Sequence, residues 1–169
     1  MSSEETSPKD VKIIKPKVDL RSKAPEISES LDDLIAKADA AVAEMAQEYP
    51  ARVEEELGEL SVLVDQATAA VGEPQKERLL KIYEYAHDFK GQGGTFGYAL
   101  ISRIGGSLCR LLHGKDTIKQ AEADLVKAHY DALRVVIAKD ISGDGGKIGD
   151  KLTGGLEEAT TRFANEDAE

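Results

Sequence analysis

A chain of 169 residues, 41% hydrophobic and 32% charged, has the size and make-up of one globular domain with tails, which excludes a disordered polymer. Its single cysteine, Cys109, excludes a disulfide framework. No apolar run approaches the roughly 20 residues of a membrane span, and a net charge of -10 argues against nucleic acid or an anionic membrane as partner.

The chain begins MSSEETSPKD, without the apolar core of a signal peptide, so the cytoplasm is the expected address. Residues 1–26 carry Pro8, Pro16 and Pro25 and a basic run of Lys9, Lys12, Lys15, Lys17, Arg21 and Lys23. Their apolar residues are sparse and not helically spaced, which predicts an extended or disordered arm. From Ile27 the period is helical. Leu31, Leu34, Ala38, Ala41, Met45 and Tyr49 recur at threes and fours, with Ser28 or Ser30 as the cap. Pro50 is expected to end or kink this helix, or to sit in the first turn of the next. Val53, Leu57, Leu60, Val64, Ala67 and Val71 make a second stripe, punctuated by Gly72 and Pro74.

The third stripe is Leu79, Ile82, Ala86, Phe89, Gly93 and Phe96; the fourth runs from Leu100 or Ile101 through Ile104 and Leu108 to Leu112. Gly114 follows where a helix C-terminus favours glycine. Thr117 and Gln120 read as a capping box opening a fifth stripe from Ile118 to Val136. A glycine-rich break, Gly143 to Gly146, precedes a short last helix near Ile148–Phe163. No strand-type alternation stands outside the arm, so the class is all-α. Short connections imply an antiparallel up-down bundle over residues 27–142, with residues 143–169 forming the break and the last helix.

One segment departs from a simple core helix. At about 100° per residue, His87 lies roughly 130° from the centre of the Leu79–Ile82–Ala86–Phe89 face, so it points outward. Lys76, Leu80, Tyr83, Lys90, Gly91 and Gly94 lie on its side. Gly costs about 1 kcal/mol relative to Ala inside a helix, so Gly91, Gly93 and Gly94 together need a reason. One such reason is bare backbone where another body approaches closely. Gly97 and the Gly105-Gly106 pair read instead as packing notches. An imidazole is a competent nucleophile near neutral pH. Phosphoryl transfer needs mainly positioning and positive charge beside the equatorial oxygens, and Lys90 at i+3 supplies that charge.

The segment AHDFKGQGGTFG resembles the histidine-containing phosphotransfer (HPt) domain, whose motif His-x-x-Lys-Gly is followed by a glycine six residues later. Those positions are His87, Lys90, Gly91 and Gly97, and Leu108-Cys109-Arg110 looks like the family's partner helix. The resemblance is strongest over residues 75–112. Phe89 stands where Leu is commonest, and Gly93-Gly94 replaces a small Ser or Ala. The arm and the C-terminal extension look like additions to the family's four-helix bundle. The resemblance implies that His87 accepts a phosphoryl group from a receiver-domain aspartate and passes it to another, with Lys90 as electrostatic support. It implies a carrier rather than an enzyme, with no ATP-binding kinase domain and no cofactor of its own; Mg²⁺ belongs to the receiver. The expected partners are receiver domains of response regulators or hybrid histidine kinases. They would dock on a face formed by Leu80, Tyr83, Glu84, Gly91 and Gly94. The alternative is a non-catalytic helical adaptor that binds receivers. A monomer is expected; a dimeric bundle would need a second exposed apolar stripe, for which Val62 and Leu63 are a possible source.

Other residues carry weaker signals. Gly91, Gly93 and Gly97 lack the strand and spacing of a dinucleotide fingerprint, and Gly143–Lys147 lacks the spacing of a P-loop. Asp140, Ser142, Asp144 and Gly145 mimic the start of an EF-hand, but its twelfth position is Lys151. His113 and His129 have no second ligand at i+4, so no metal is expected. Cys109 reads as a small buried apolar residue.

Overall fold

The computed structural model describes residues 30–166, so the expected arm over 1–26 lies outside the described residues. Five helices follow in order: α1 Leu31–Ala69, α2 Glu73–Gln92, α3 Ala99–Leu112, α4 Gln120–Ala138 and α5 Gly146–Glu166. Among the described residues there is no strand, in agreement with the all-α class, and no helix long and apolar enough to cross a membrane. Contacts divide the chain after Ala36, and the unit from Lys37 onward holds the whole core.

Ser30 caps α1: its hydroxyl oxygen accepts the Asp33 N–H at 3.1 Å and the hydroxyl donates to the Asp33 carboxylate at 2.7 Å. Pro50 neither ends nor divides this helix, which runs unbroken for 39 residues. Proline removes one ladder hydrogen bond, but Tyr49 and Val53, both fully buried, anchor the chain on either side of it. Of the first apolar stripe only Tyr49 enters the core; Ala38, Ala41 and Met45 stay exposed. The reason is length: α2 ends at Gln92, whose side chain meets Arg52.

From there α1 and α2 run antiparallel. Arg52 Nη2 donates to Gln92 Oε1 at 2.6 Å, the Tyr85 hydroxyl to Glu59, Arg78 Nε to Gln66 Oε1 at 3.2 Å, and Gln75 Nε2 to the Ala67 carbonyl at 3.0 Å. The helix α3 is central, with Leu100, Ile101, Ile104, Leu108, Leu111 and Leu112 all buried. It runs antiparallel to α2 and α4, and parallel to α5, as the Arg103–Asp150 pair at 3.0 Å and the Ser107–Thr160 bond at 3.1 Å require. Cys109 is buried as expected, and that burial raises its thiol pKa.

The expected capping box at Thr117 and Gln120 is displaced. The Ile118 N–H donates to Gln75 Oε1 at 3.4 Å, while Glu122 accepts the Lys119 N–H at 2.7 Å, so the cap moves from Thr117 to Lys119 and α4 opens two residues later with Glu122 as its reciprocal cap. Glu122 also meets Lys115 Nζ at 2.5 Å in a largely buried pair. Gly114 has φ 70°, the left-handed conformation predicted for it. The break before α5 is tied to the α2–α3 turn: Gly143 N donates to the Gly97 carbonyl at 2.6 Å, and Leu100 N donates to the Gly143 carbonyl at 2.9 Å. The Tyr98 hydroxyl donates to Asp140 at 2.5 Å, a bond that pushes the phenol up to about 12. Asp144 accepts the Gly146 N–H at 2.9 Å, so of the two carboxylates of the EF-hand-like segment one holds the turn and the other ties it to Tyr98.

A polar chain crosses the core where α3, α4 and α5 meet. His129 is 0% exposed, with Nδ1 2.8 Å from the Leu125 carbonyl and Nε2 2.9 Å from Ser107 Oγ. A carbonyl only accepts, so Nδ1 carries the proton and Nε2 accepts from Ser107, whose oxygen in turn accepts from Thr160. Burial, reinforced by the Arg110 charge and only partly opposed by the Leu125 bond, lowers the His129 pKa. The unfolded chain therefore takes up this proton first. The stabilisation is fully present above the unfolded value of about 6.5 and is lost as pH falls below it. The urea midpoint should drop between pH 7.5 and 5.5 in the native chain and drop measurably less in His129→Gln.

Candidate functional site

The outward face of α2 is built by contrast with its inward one. Leu79, Ile82, Ala86 and Phe89 are buried against the core, which leaves His87, one position on from Ala86, on the far side. The His87 side chain is 65% exposed. Leu80, Glu84, Lys90, Gly91 and Gly94 are also exposed on the same side of the segment, and Tyr83 is half-buried beside them. Of these, Tyr83 and Glu84 line one depression with His87. Leu80, 59% exposed, is an apolar side chain that solvent contact alone does not favour.

The glycines divide by role. A Cβ at Gly91 would meet nothing within 4 Å. A Cβ at Gly93 would stand 2.8 Å from Ser102 N and from the Tyr98 carbonyl, so Gly93 is a packing residue and not part of an approach surface. The Gly94 N–H is taken by Ser102 Oγ at 2.8 Å. At Gly105 a Cβ would lie 2.7 Å from the Ala86 carbonyl and 2.8 Å from Lys90 N, which makes it the notch expected of it. Gly97 is not a notch: nothing lies within 4 Å, and its φ of 86° shows that the turn needs its backbone freedom. Gly106 is not a notch either: a Cβ there would sit 3.8 Å from Lys90 Cγ, in ordinary contact that displaces nothing.

Around His87 the structure adds neighbours that spacing did not single out. Its ring lies 6.4 Å from the Tyr83 ring, with planes 29° apart. Tyr83 in turn lies 6.5 Å from the His113 ring. Asp88 Oδ1 is 4.0 Å from His87 Nδ1, beyond direct hydrogen-bond reach. Tyr83, Glu84, His87 and Asp88 line a shallow depression of about 490 Å³. A signal for the ring contact was present in the sequence, since Tyr83 and His87 are four apart on one helix. The acidic neighbour Asp88 gave none, because consecutive helical residues do not face each other.

Chemically, this is an exposed imidazole at an open depression, with a lysine one turn on and a bare stretch of backbone. Nothing about it encloses a small substrate. Among the described residues no group of three or more His, Cys, Asp or Glu side chains could hold a metal ion. Comparison with protein-family profiles, with curated proteins and with solved structures finds no match to this chain.

The glycine geometry has a measurable consequence. Gly105→Ala should lower stability by about 1–3 kcal/mol, because the displaced atoms are backbone. Gly91→Ala should leave it unchanged or raise it by up to about 1 kcal/mol. Urea denaturation of the two variants beside the native chain reads both.

Proposed function

We propose that this protein is a phosphoryl carrier of a two-component phosphorelay, in which His87 takes a phosphoryl group from one receiver-domain aspartate and delivers it to another. The observation that carries the reading is the outward His87 with Lys90 one turn on and open space at Gly91. The reading takes α1–α4 as the four-helix bundle of the HPt type and α5 as an added helix. It places the relay in the cytoplasm, where receiver domains work.

In the transfer step a ring nitrogen's lone pair attacks phosphorus in line with the aspartyl oxygen. An N–P bond forms, the P–O bond to the carboxylate breaks, and the electron pair leaves with the carboxylate. The proton on the other ring nitrogen stays in place. Delivery to the second aspartate is the reverse of this step. An aspartyl phosphate and its Mg²⁺ lie on the receiver, so this chain has only to present a nucleophile and tolerate close approach. Lys90 places a cation near the charged equatorial oxygens of the moving group. An exposed, open site suits this task, since the receiver closes around it and then leaves.

Mixing the chain with receivers charged by acetyl phosphate tests the reading. The label should appear on His87 as an acid-labile, alkali-stable phosphoramidate and be absent from His87→Gln, whose helical circular dichroism stays native. Binding of receivers without any transfer would favour the adaptor instead. Lys90→Ala should change stability by only about 0.5 kcal/mol yet slow transfer roughly tenfold or more at saturating receiver.

A further inference from the structure

We propose that Tyr83 is a positioning residue for His87: its ring stands beside the imidazole with the two planes close to parallel and restrains the side chain in the orientation from which a ring nitrogen attacks. The proposal rests on the phosphoryl-transfer reading above and adds a residue whose role lies in orienting the nucleophile rather than in docking.

The two rings are 6.4 Å apart with planes 29° from parallel, within the 4.5–7 Å range of offset aromatic pairs. Tyr83 is itself a fixed surface. It is half-buried, packs against the core, lies 6.5 Å from the His113 ring, and lines a groove with Leu79, Leu80 and Leu112. His87, in contrast, has no core to hold it. A side chain as exposed as this samples several staggered rotamers unless a neighbour selects one. Asp88 does not select it by direct hydrogen bonding, because its oxygen stands 4.0 Å from Nδ1. The Lys90 stem runs along Gly106 on α3, which leaves the ring of Tyr83 as the stacked contact.

The direction of that contact matters for the chemistry. Lone pairs on imidazole nitrogens lie in the ring plane. The rotamer of His87 therefore sets the line of attack, and a ring 6.4 Å away with its plane 29° from parallel limits the rotamers open to it. Positioning is most of what a phosphoryl-transfer site supplies, so limiting the rotamers of the nucleophile raises the fraction of encounters that are productive.

The test uses the full chain with phosphoramidate as a small donor, so that no receiver docks and a docking role for Tyr83 cannot contribute. Native protein, Tyr83→Phe and Tyr83→Leu are compared for the rate of His87 phosphorylation and for the NMR order parameter of the His87 ring C–H bonds. Tyr83→Phe should match the native chain in both. Tyr83→Leu should loosen the ring and slow phosphorylation about two- to tenfold, the range expected for loss of one aromatic pair, with its helical circular dichroism native at the assay temperature. Native ring order and native rate in Tyr83→Leu overturn the proposal. Cross-relaxation between the Tyr83 and His87 ring protons of the native chain is a second check that needs no variant, and its absence overturns the proposal even if Tyr83→Leu does not fold. If phosphoramidate leaves the native His87 unlabelled while the ring loosens in Tyr83→Leu, the phosphoryl-transfer reading falls and the ring contact stands.

Discussion

The close approach of α2 to α3 at Gly105 is the constraint on which the rest of the molecule depends. Backbone atoms of Ala86 and Lys90 occupy the space that any Cβ at this position would need. Glycine costs α3 roughly 1 kcal/mol of helix propensity, and the return is a separation small enough for Ala86 and Phe89 to bury completely between the helices. Gly93 repeats the device at the turn, against Ser102 and the Tyr98 carbonyl. With two glycine notches on one interface, α2 is held in one rotation about its own axis. Since Ala86 must face α3, His87 must face outward.

The central position of α3 distributes that rigidity. It is covered by α2 on one side and by α4 and α5 on others, and its buried face is aliphatic except at Ser107. Ser107 joins His129 and Thr160 in a chain in which each polar atom has a partner. A buried polar chain of this kind adds little net energy when satisfied and costs much when broken, so it favours one arrangement of α3, α4 and α5 over near alternatives. The exposed pairs, such as Arg103 with Asp150, contribute little by comparison.

The surface that results has an unusual division of labour. Its outward residues are polar and charged around His87, yet Leu80 remains open to solvent and Tyr83 half open. Lys90 belongs to both worlds: its carbon stem lies along Gly106 while its charge stays at the surface. The site is thus assembled on one helix, and the stem of its lysine rests on the neighbouring one at Gly106.

The sequence by itself determined the helical class, the buried faces of α2, α3 and α4, the glycine stop after α3 and the outward direction of His87. All of these follow from the 3.6-residue period and from local chemistry, which act within a few residues. Only the tertiary structure decided that α1 passes unbroken through Pro50, because burial of Tyr49 and Val53 outweighs one lost hydrogen bond. It also decided that the first apolar stripe stays exposed above Tyr49, because a stripe is buried only as far as its partner helix reaches. It moved the cap of α4 from Thr117 to Lys119, since Gln75 on another helix takes the Ile118 N–H. The roles of the glycines divided in the same way. Gly91 and Gly93 read alike in the sequence and Gly97 read as a notch, but the first faces open space, the second faces backbone and the third holds a left-handed turn. That difference depends on which atoms of a distant segment arrive beside each, and spacing along the chain carries no record of it.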